Sequence, residues 1–127
     1  MAKNPPLYYS WWTSPINQKV FRKGIEQFLT DDGFKKSFFG HTLSKGDVRI
    51  EVSNKEVKGR KKTDIRVYAA GSASEDPIER SQEETGRFGK LEILRGAIDG
   101  QINDQGAYVD REFYGDYWEK LRGIRKA

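Results

Sequence analysis

Apolar and polar residues along this chain follow the spacings of strands and helices, and each stretch predicts one element. After a proline-containing lead-in at residues 1–6, which we expect to be flexible, the aromatic run Leu7–Trp12 has the composition of a β-strand. Ser14 and Pro15 are the residue types that open an α-helix, and this helix is predicted to run to about Leu29. Its apolar face consists of Phe21, Ile25, Phe28 and Leu29.

Alternation of polar and apolar residues predicts an antiparallel β-hairpin over about residues 47–68. A lysine-rich stretch containing Gly59 separates its two strands and supplies the turn. The apolar side chains that alternate on the strands, and that we expect to face the core, are Val48, Ile50, Val52, Ile65 and Val67.

Two more helices are predicted in the second half. Residues 69–75, rich in Gly, Ser and Ala, are expected to form an internal loop, and Asp76 and Pro77 then match a helix N-cap and first turn. The apolar stripe of this helix consists of Phe88, Leu91, Leu94, Ile98 and Ile102. Asp110 is the predicted N-cap of a last helix, whose apolar arc consists of Phe113, Tyr114, Tyr117, Trp118, Leu121 and Ile124.

The predicted fold class is therefore α+β, with residues 1–127 forming a single domain. A small antiparallel sheet, built from the hairpin at about 47–68 and the N-terminal aromatic strand, is expected to pack against about three helices. A chain of 127 residues can bury one modest core but not two. The early aromatic residues are expected to fill much of that core, with about one of the four rings left exposed: Tyr8, Tyr9, Trp11 and Trp12.

The absence of cysteine and the presence of one histidine restrict the chemistry. Disulfides, thiolate catalysis and cysteine-based zinc sites are excluded, and His41 has no second histidine or carboxylate near it in the sequence. We therefore predict no catalytic residue, no metal site and no cofactor. The chain also lacks a run of about 20 apolar residues and a secretion signal, which predicts a cytoplasmic protein with no membrane partner.

Charge is distributed unevenly along the chain. The net charge is +4, but residues 1–70 hold 14 Lys or Arg against 7 Asp or Glu, whereas residues 71–127 hold 9 against 12. A positive field confined to one half favours an anionic partner.

The basic residues cluster at the predicted hairpin turn, where they are placed to neutralise phosphates. Our main hypothesis is therefore non-catalytic binding of nucleic acid, DNA or RNA, or of a nucleoprotein complex. Lysines that keep a solvated turn soluble explain the cluster equally well. The predicted phosphate contacts are Lys55, Lys58, Arg60, Lys61, Lys62 and Arg66, assisted by Lys19, Lys23, Lys35 and Lys36.

Two alternative functions remain open at this point. The acidic second half, with Glu79, Glu83 and Glu84 at a helix start that has no apolar face, suits a protein-binding regulator or inhibitor. The second alternative is a metal-dependent nuclease. Asp47 followed by Glu56-Val57-Lys58 is similar to the acid and E-x-K elements of such enzymes.

A stripe of glycines follows the apolar stripe of the helix predicted after Asp76. Each glycine inside a helix destabilises it by about 0.8–1 kcal/mol relative to alanine. Either Gly86 and Gly100 lie outside the helix at its ends, or the stripe packs closely on this protein's own sheet or last helix, or it forms an interface that includes Gly89, Ile93 and Gly96. The stripe consists of Gly86, Gly89, Gly96 and Gly100, with Ile93 among them.

Overall fold

The computed structural model describes residues 7–38, 40–70 and 74–115, and within them it contains six strands and two helices. The predicted flexible segment 1–6 lies outside these residues. The elements are β1 (Leu7–Ser14), α1 (Gln18–Asp31), β2 (Lys35–Lys36), β3 (Thr42–Lys45), β4 (Val48–Val57), β5 (Arg60–Ala69), α2 (Pro77–Asp104) and β6 (Tyr108–Tyr114).

The strands form one antiparallel sheet in the order β2-β3-β4-β5-β1-β6. The aromatic strand β1 is therefore not at the edge of the sheet, since it pairs with β5 on one side and with β6 on the other. Trp11 lies opposite Ile65 of β5 and Glu112 of β6. A register shift interrupts the β1–β6 pairing between Trp12 and Thr13, and it places Asp110 as an extra residue on β6.

The predicted hairpin is confirmed, and its strands are longer than expected. β4 and β5 continue up to the turn residues Lys58 and Gly59, so the basic cluster belongs to paired strands rather than to a loop. Lys58 and Gly59 have φ values of 52° and 75°. Two consecutive residues with positive φ are the requirement of a type I′ turn, whose twist matches that of the flanking strands.

The core lies between one face of the sheet and both helices. Phe21, Ile25 and Leu29 of α1 are buried, as predicted, and Phe28 packs against the same cluster. The predicted stripe of α2 is also confirmed, because Phe88, Leu91, Ile98 and Ile102 are buried and Leu94 is partly buried. From the sheet, the core receives Ile50, Val52, Ile65, Val67 and Trp11, with Val48 at its border.

The helix starts differ in how well the sequence predicts them. α2 begins as expected, with Asp76 accepting a hydrogen bond from the Ile78 N–H at 3.1 Å and Pro77 in the first turn. α1 begins later than expected, because Ser14 still belongs to β1. The N-cap of α1 is Asn17, whose side chain accepts from the Val20 N–H at 3.1 Å.

The prediction of about three helices is wrong within the described residues. Asp110 does not cap a helix, because residues 108–114 form strand β6 against β1. The rest of the predicted last helix, from residue 116 onward, lies outside the described residues. The aromatic and β-branched residues of 108–114 fit either element, and β1 needs a partner for its outer edge, so tertiary pairing decides the outcome.

The sheet is also larger than predicted. The segment after α1, whose structure the sequence left undecided, contributes the short strand β2, and β3 follows after a turn. The predicted internal loop 69–75 overlaps the end of β5, since Ala69 still belongs to that strand. Residues 71–73 of this loop lie outside the described residues.

Candidate functional site

Among the described residues, the two helices cover one face of the sheet, and we call the other face the open face. Successive side chains of a strand alternate between faces, so the register identifies which residues point away from the helices. Arginine and lysine predominate among them. The cationic residues of the open face on β4, β5 and β6 are Arg49, Lys55, Arg60, Lys62, Arg66 and Arg111, and the carboxylates are Glu51, Asp64 and Asp110.

A groove of about 600 Å³ lies on this face across strands β5, β1 and β6. The groove exists because the side chain of Ser10 is small and lies between the larger side chains of Arg66 and Phe113 in one cross-strand row. In the next row, Trp12 stands between Asp64 and Arg111. The residues that line the groove are Leu7, Ser10, Trp12, Asp64, Arg66, Asp110, Arg111 and Phe113.

Asp64 is the most enclosed carboxylate of the open face, with its side chain only 6% exposed. Its Oδ2 atom accepts from Arg66 Nε at 2.9 Å and from Lys55 Nζ at 3.4 Å. Two cations therefore compensate for the desolvation of this carboxylate. The other oxygen, Oδ1, accepts no hydrogen bond from any residue that the structure describes.

A second ion pair fixes the hairpin to β6. Lys62 Nζ donates to Asp110 Oδ2 at 2.7 Å and also to the hydroxyl of Ser14. Burial acts to raise the pKa of Asp110, but the hydrogen bonds from Lys62 and Ser14 outweigh it and hold this pKa below its usual value. The carboxylate is thus ionised at neutral pH and keeps the Lys62 ammonium at the rim of the groove.

The ten predicted basic residues do not form one surface. Lys55, Arg60, Lys62 and Arg66 share the open face, and Lys35 reaches its far edge through β2. Lys58 occupies the turn. Lys61 lies on the opposite face, where it pairs in register with Glu56.

The remaining predicted cations lie on the helix side. Lys19 and Lys23 are exposed on α1. Lys36 is held by an ion pair to Glu26 of α1 at 2.8 Å. Burial acts to raise the pKa of Glu26, but hydrogen bonds from Lys36 and Arg22 hold it below its usual value. Lys36 therefore has a structural role at the α1–β2 contact.

The aromatic strand β1 divides its rings between the two faces. Tyr8, Tyr9 and Trp11 are buried, which confirms that most of these rings belong to the core. Trp12 is the ring on the open face, where Lys55 Nζ lies 5.6 Å from its centroid. A parallel arrangement occurs on the same face at Tyr68, with the Arg49 guanidinium 4.8 Å from the ring centroid. Cation–aromatic pairs of this kind hold both groups in place.

The residues proposed for a nuclease are not brought together. Asp47 precedes β4 and is ion-paired with Arg87 of α2, whereas Glu56 lies near the far end of the same strand. Nine residues of extended strand separate them by about 30 Å. No group of three or more metal-ligating side chains occurs in the described part of the chain.

The glycine stripe lies on the solvent side of α2. The helix is continuous over Pro77–Asp104, so none of the glycines lies beyond its ends. A Cβ atom added at each of the four would have no described neighbour within 4 Å, which also rules out close packing against the described sheet. Ile93 is 76% exposed on this side. The same positions therefore remain available as a surface: Gly86, Gly89, Gly96 and Gly100.

The acidic start of α2 is only partly as expected. Glu79 and Glu83 are exposed, but Glu84 is buried at the point where the helix reaches the core. Ile78, in the first turn, is 70% exposed.

Within the described residues, no helix has the length and apolar character needed to cross a bilayer.

Several residues of the open face escaped sequence analysis. Arg111 and Phe113 alternate along β6, and Arg49 occupies a polar position of β4. The available signal was the aromatic and β-branched content of residues 108–114, but this content also fits the helix that the sequence analysis predicted there. The chain matches no protein-family model, and neither a curated protein nor a solved structure is significantly similar to it.

Proposed function

We propose that this protein binds nucleic acid without cleaving it. The phosphate backbone of the nucleic acid lies along the open face of the basic hairpin. The observation that carries the proposal is the placement of Arg60, Lys62 and Arg66 on one face of one strand. Arg60 and Lys62 are about 7 Å apart along the strand, and Lys62 and Arg66 are about 14 Å apart with Asp64 between them, so these cations form a line that a polyanion can follow.

The charged residues around these cations support phosphate binding. Lys62 and Arg66 are held by Asp110 and Asp64, which limits the side-chain entropy that phosphate binding would otherwise remove. Other cations of the hairpin and of β6 have no ion-pair partner among the described residues and are free to approach phosphates. These cations are Lys58, Arg60 and Arg111.

The experiment is a salt titration of binding to labelled single-stranded and duplex oligonucleotides, followed by fluorescence anisotropy from about 50 to 200 mM salt. We expect log affinity to fall linearly with log salt, by roughly 0.7–0.9 for each phosphate contacted. Replacing Lys58 and Arg60 with alanine should reduce this slope by about 1.4–1.8.

The matched control removes the same charge from α2, which lies on the other side of the sheet. Arg80→Ala combined with Lys90→Ala lowers the net charge equally, and we expect it to leave the slope close to that of the wild-type protein. Absence of binding to every oligonucleotide at 50 mM salt would refute the proposal. Equal effects of the two double variants would place the binding surface elsewhere.

Protein binding by the outer side of α2 is the second candidate, favoured by the exposure of Ile93 among glycines that pack against nothing described. Small residues let another helix approach closely, and Ile93 would supply the apolar contact. A second copy of the chain is the simplest partner to test. Sedimentation velocity should show self-association that Ile93→Asp abolishes, and a monomer at high protein concentration would count against this surface as a self-interface.

A further inference from the structure

We infer that the groove between Trp12 and Phe113 holds an unpaired nucleobase, so that the protein prefers single strands over duplexes and cytosine over thymine. This inference rests on the proposed function, because the phosphates bound by the hairpin would deliver the base to the groove. The groove volume of about 600 Å³ lies within the range of small-ligand sites.

The dimensions of the groove fit a planar ring. Along β1, the row of Trp12 and the row of Ser10 are about 7 Å apart. Stacked bases are spaced by about 3.4 Å, so the space over Ser10 admits a ring lying against the indole. Across the sheet, Arg66 and Phe113 flank Ser10 at about 10 Å from each other, which leaves room for the width of a base.

The groove offers the contacts that distinguish a base from a bare phosphate chain. Trp12 and Phe113 present aromatic surface to it, and Phe113 is 47% exposed. An aromatic ring beside basic residues is how proteins hold unpaired bases, since every base has a stacking face. In a duplex, the faces of each base are covered by its neighbours, so a duplex cannot place a base in this groove.

Asp64 gives the groove a chemical preference. Its Oδ2 atom is occupied by Arg66 and Lys55, whereas its Oδ1 atom accepts no hydrogen bond from a described residue. The Asp64 side chain is only 6% exposed, so a ligand that donates a hydrogen bond to Oδ1 would compensate for the limited hydration of this oxygen. Cytosine presents an amino group, to which aspartate is a suited acceptor, whereas thymine presents a carbonyl oxygen and a methyl group at the same position.

The test measures the affinity of the full chain at one low salt concentration for four labelled probes of equal length. The probes are oligodeoxycytidine, oligodeoxythymidine, an abasic oligomer with the same backbone, and a duplex. We expect the affinity to fall in the order deoxycytidine, deoxythymidine, abasic oligomer, with the duplex bound no better than the abasic oligomer.

Three variants separate the contributions of ring, space and carboxylate. Trp12→Leu should weaken binding of oligodeoxycytidine by about 5- to 150-fold, the range for loss of one base–aromatic stack. Ser10→Leu keeps the indole but fills the groove, and it should give a similar loss. Asp64→Asn should abolish the preference for deoxycytidine over deoxythymidine. Phe38→Leu is the matched control, because this ring is 95% exposed and outside the groove.

Circular dichroism of each variant establishes that it is folded before its affinity is interpreted. Equal affinity for the abasic oligomer and oligodeoxycytidine, or wild-type binding by Trp12→Leu, would overturn the inference while leaving salt-dependent phosphate binding intact. A deoxycytidine preference that survives Asp64→Asn would remove the role of Asp64. Failure to bind any probe would instead refute the proposed function itself.

Discussion

Trp11 and Trp12 are consecutive in the chain, yet their rings lie on opposite faces of the sheet. Trp11 is fully buried beneath the helices, and its indole N–H donates to Asp99 Oδ1 at 2.6 Å. Trp12 lines the groove of the open face. One strand thus anchors the core with one indole and presents the neighbouring indole to a ligand.

This division predicts unequal effects of the same substitution on stability. Trp11→Phe removes the donor to a charged acceptor and should lower the free energy of unfolding by about 1.5–3 kcal/mol. Trp12→Phe removes no described hydrogen bond and should change it by less than about 1 kcal/mol. Urea denaturation followed by far-ultraviolet circular dichroism measures both values, and losses of equal size would contradict the assignment of faces.

The glycine stripe predicts a substitution that stabilises the protein. Gly96→Ala places a methyl group in open space within a continuous helix, so it should raise the free energy of unfolding by about 0.8–1 kcal/mol. Gly115→Ala is the opposite case, because its Cβ would clash with the backbone carbonyl oxygen of Leu7. The first substitution should move the urea midpoint up and the second should move it down. Loss of stability in Gly96→Ala would reveal packing outside the described residues.

The hairpin turn predicts that stability and binding can be changed in opposite directions. Lys58 has a φ of 52°, a conformation that asparagine adopts more readily than lysine. Lys58→Asn should therefore stabilise the fold by up to about 1 kcal/mol and at the same time reduce the salt dependence of binding by roughly 0.7–0.9. Urea denaturation and the salt titration give the two results separately, and a destabilised variant would argue against the type I′ turn.

The ion pairs of Glu26 predict a specific dependence of stability on pH. Because Arg22 and Lys36 hold its pKa below the usual value, Glu26 contributes stability above the pKa of the unfolded chain. That contribution disappears as the pH falls from about 4.5 through the lower pKa of the folded protein. Glu26→Gln should be less stable at pH 7 and lose less stability between pH 5 and pH 3 than the wild-type protein.

The control for this measurement is Glu79→Gln, at the exposed start of α2. Urea denaturation at each pH compares the three proteins. If Glu26→Gln and the wild-type protein lose the same stability on acidification, the described ion pairs do not contribute.

Sequence patterns predicted elements where local chemistry and packing agree. Asp76 and Pro77 open α2, and the alternation of Ile50, Val52, Ile65 and Val67 places the hairpin on the core. The pattern failed at residues 108–114, because a stretch with aromatic residues at mixed spacing folds according to the strand that it meets. Only the pairing with β1 makes this segment a strand.

The candidate site was less predictable than the fold. A basic hairpin is visible in the sequence, but the face that each lysine occupies depends on register, which separates Lys61 from Lys62. The groove needs Ser10, Arg66 and Phe113 in one row across three strands. These residues are far apart in the sequence, so no local sequence motif predicts that they form a groove.

The position of β1 has a consequence for folding. This strand is synthesised before its two neighbours, because β5 and β6 follow it by roughly 50 and 100 residues, as the Trp11–Ile65 and Trp11–Glu112 pairs show. One edge of β1 stays unpaired on the ribosome until β5 has been synthesised, and the other edge until almost the whole described chain has emerged. Such a high contact order slows folding and leaves an aromatic, aggregation-prone segment exposed in the nascent chain.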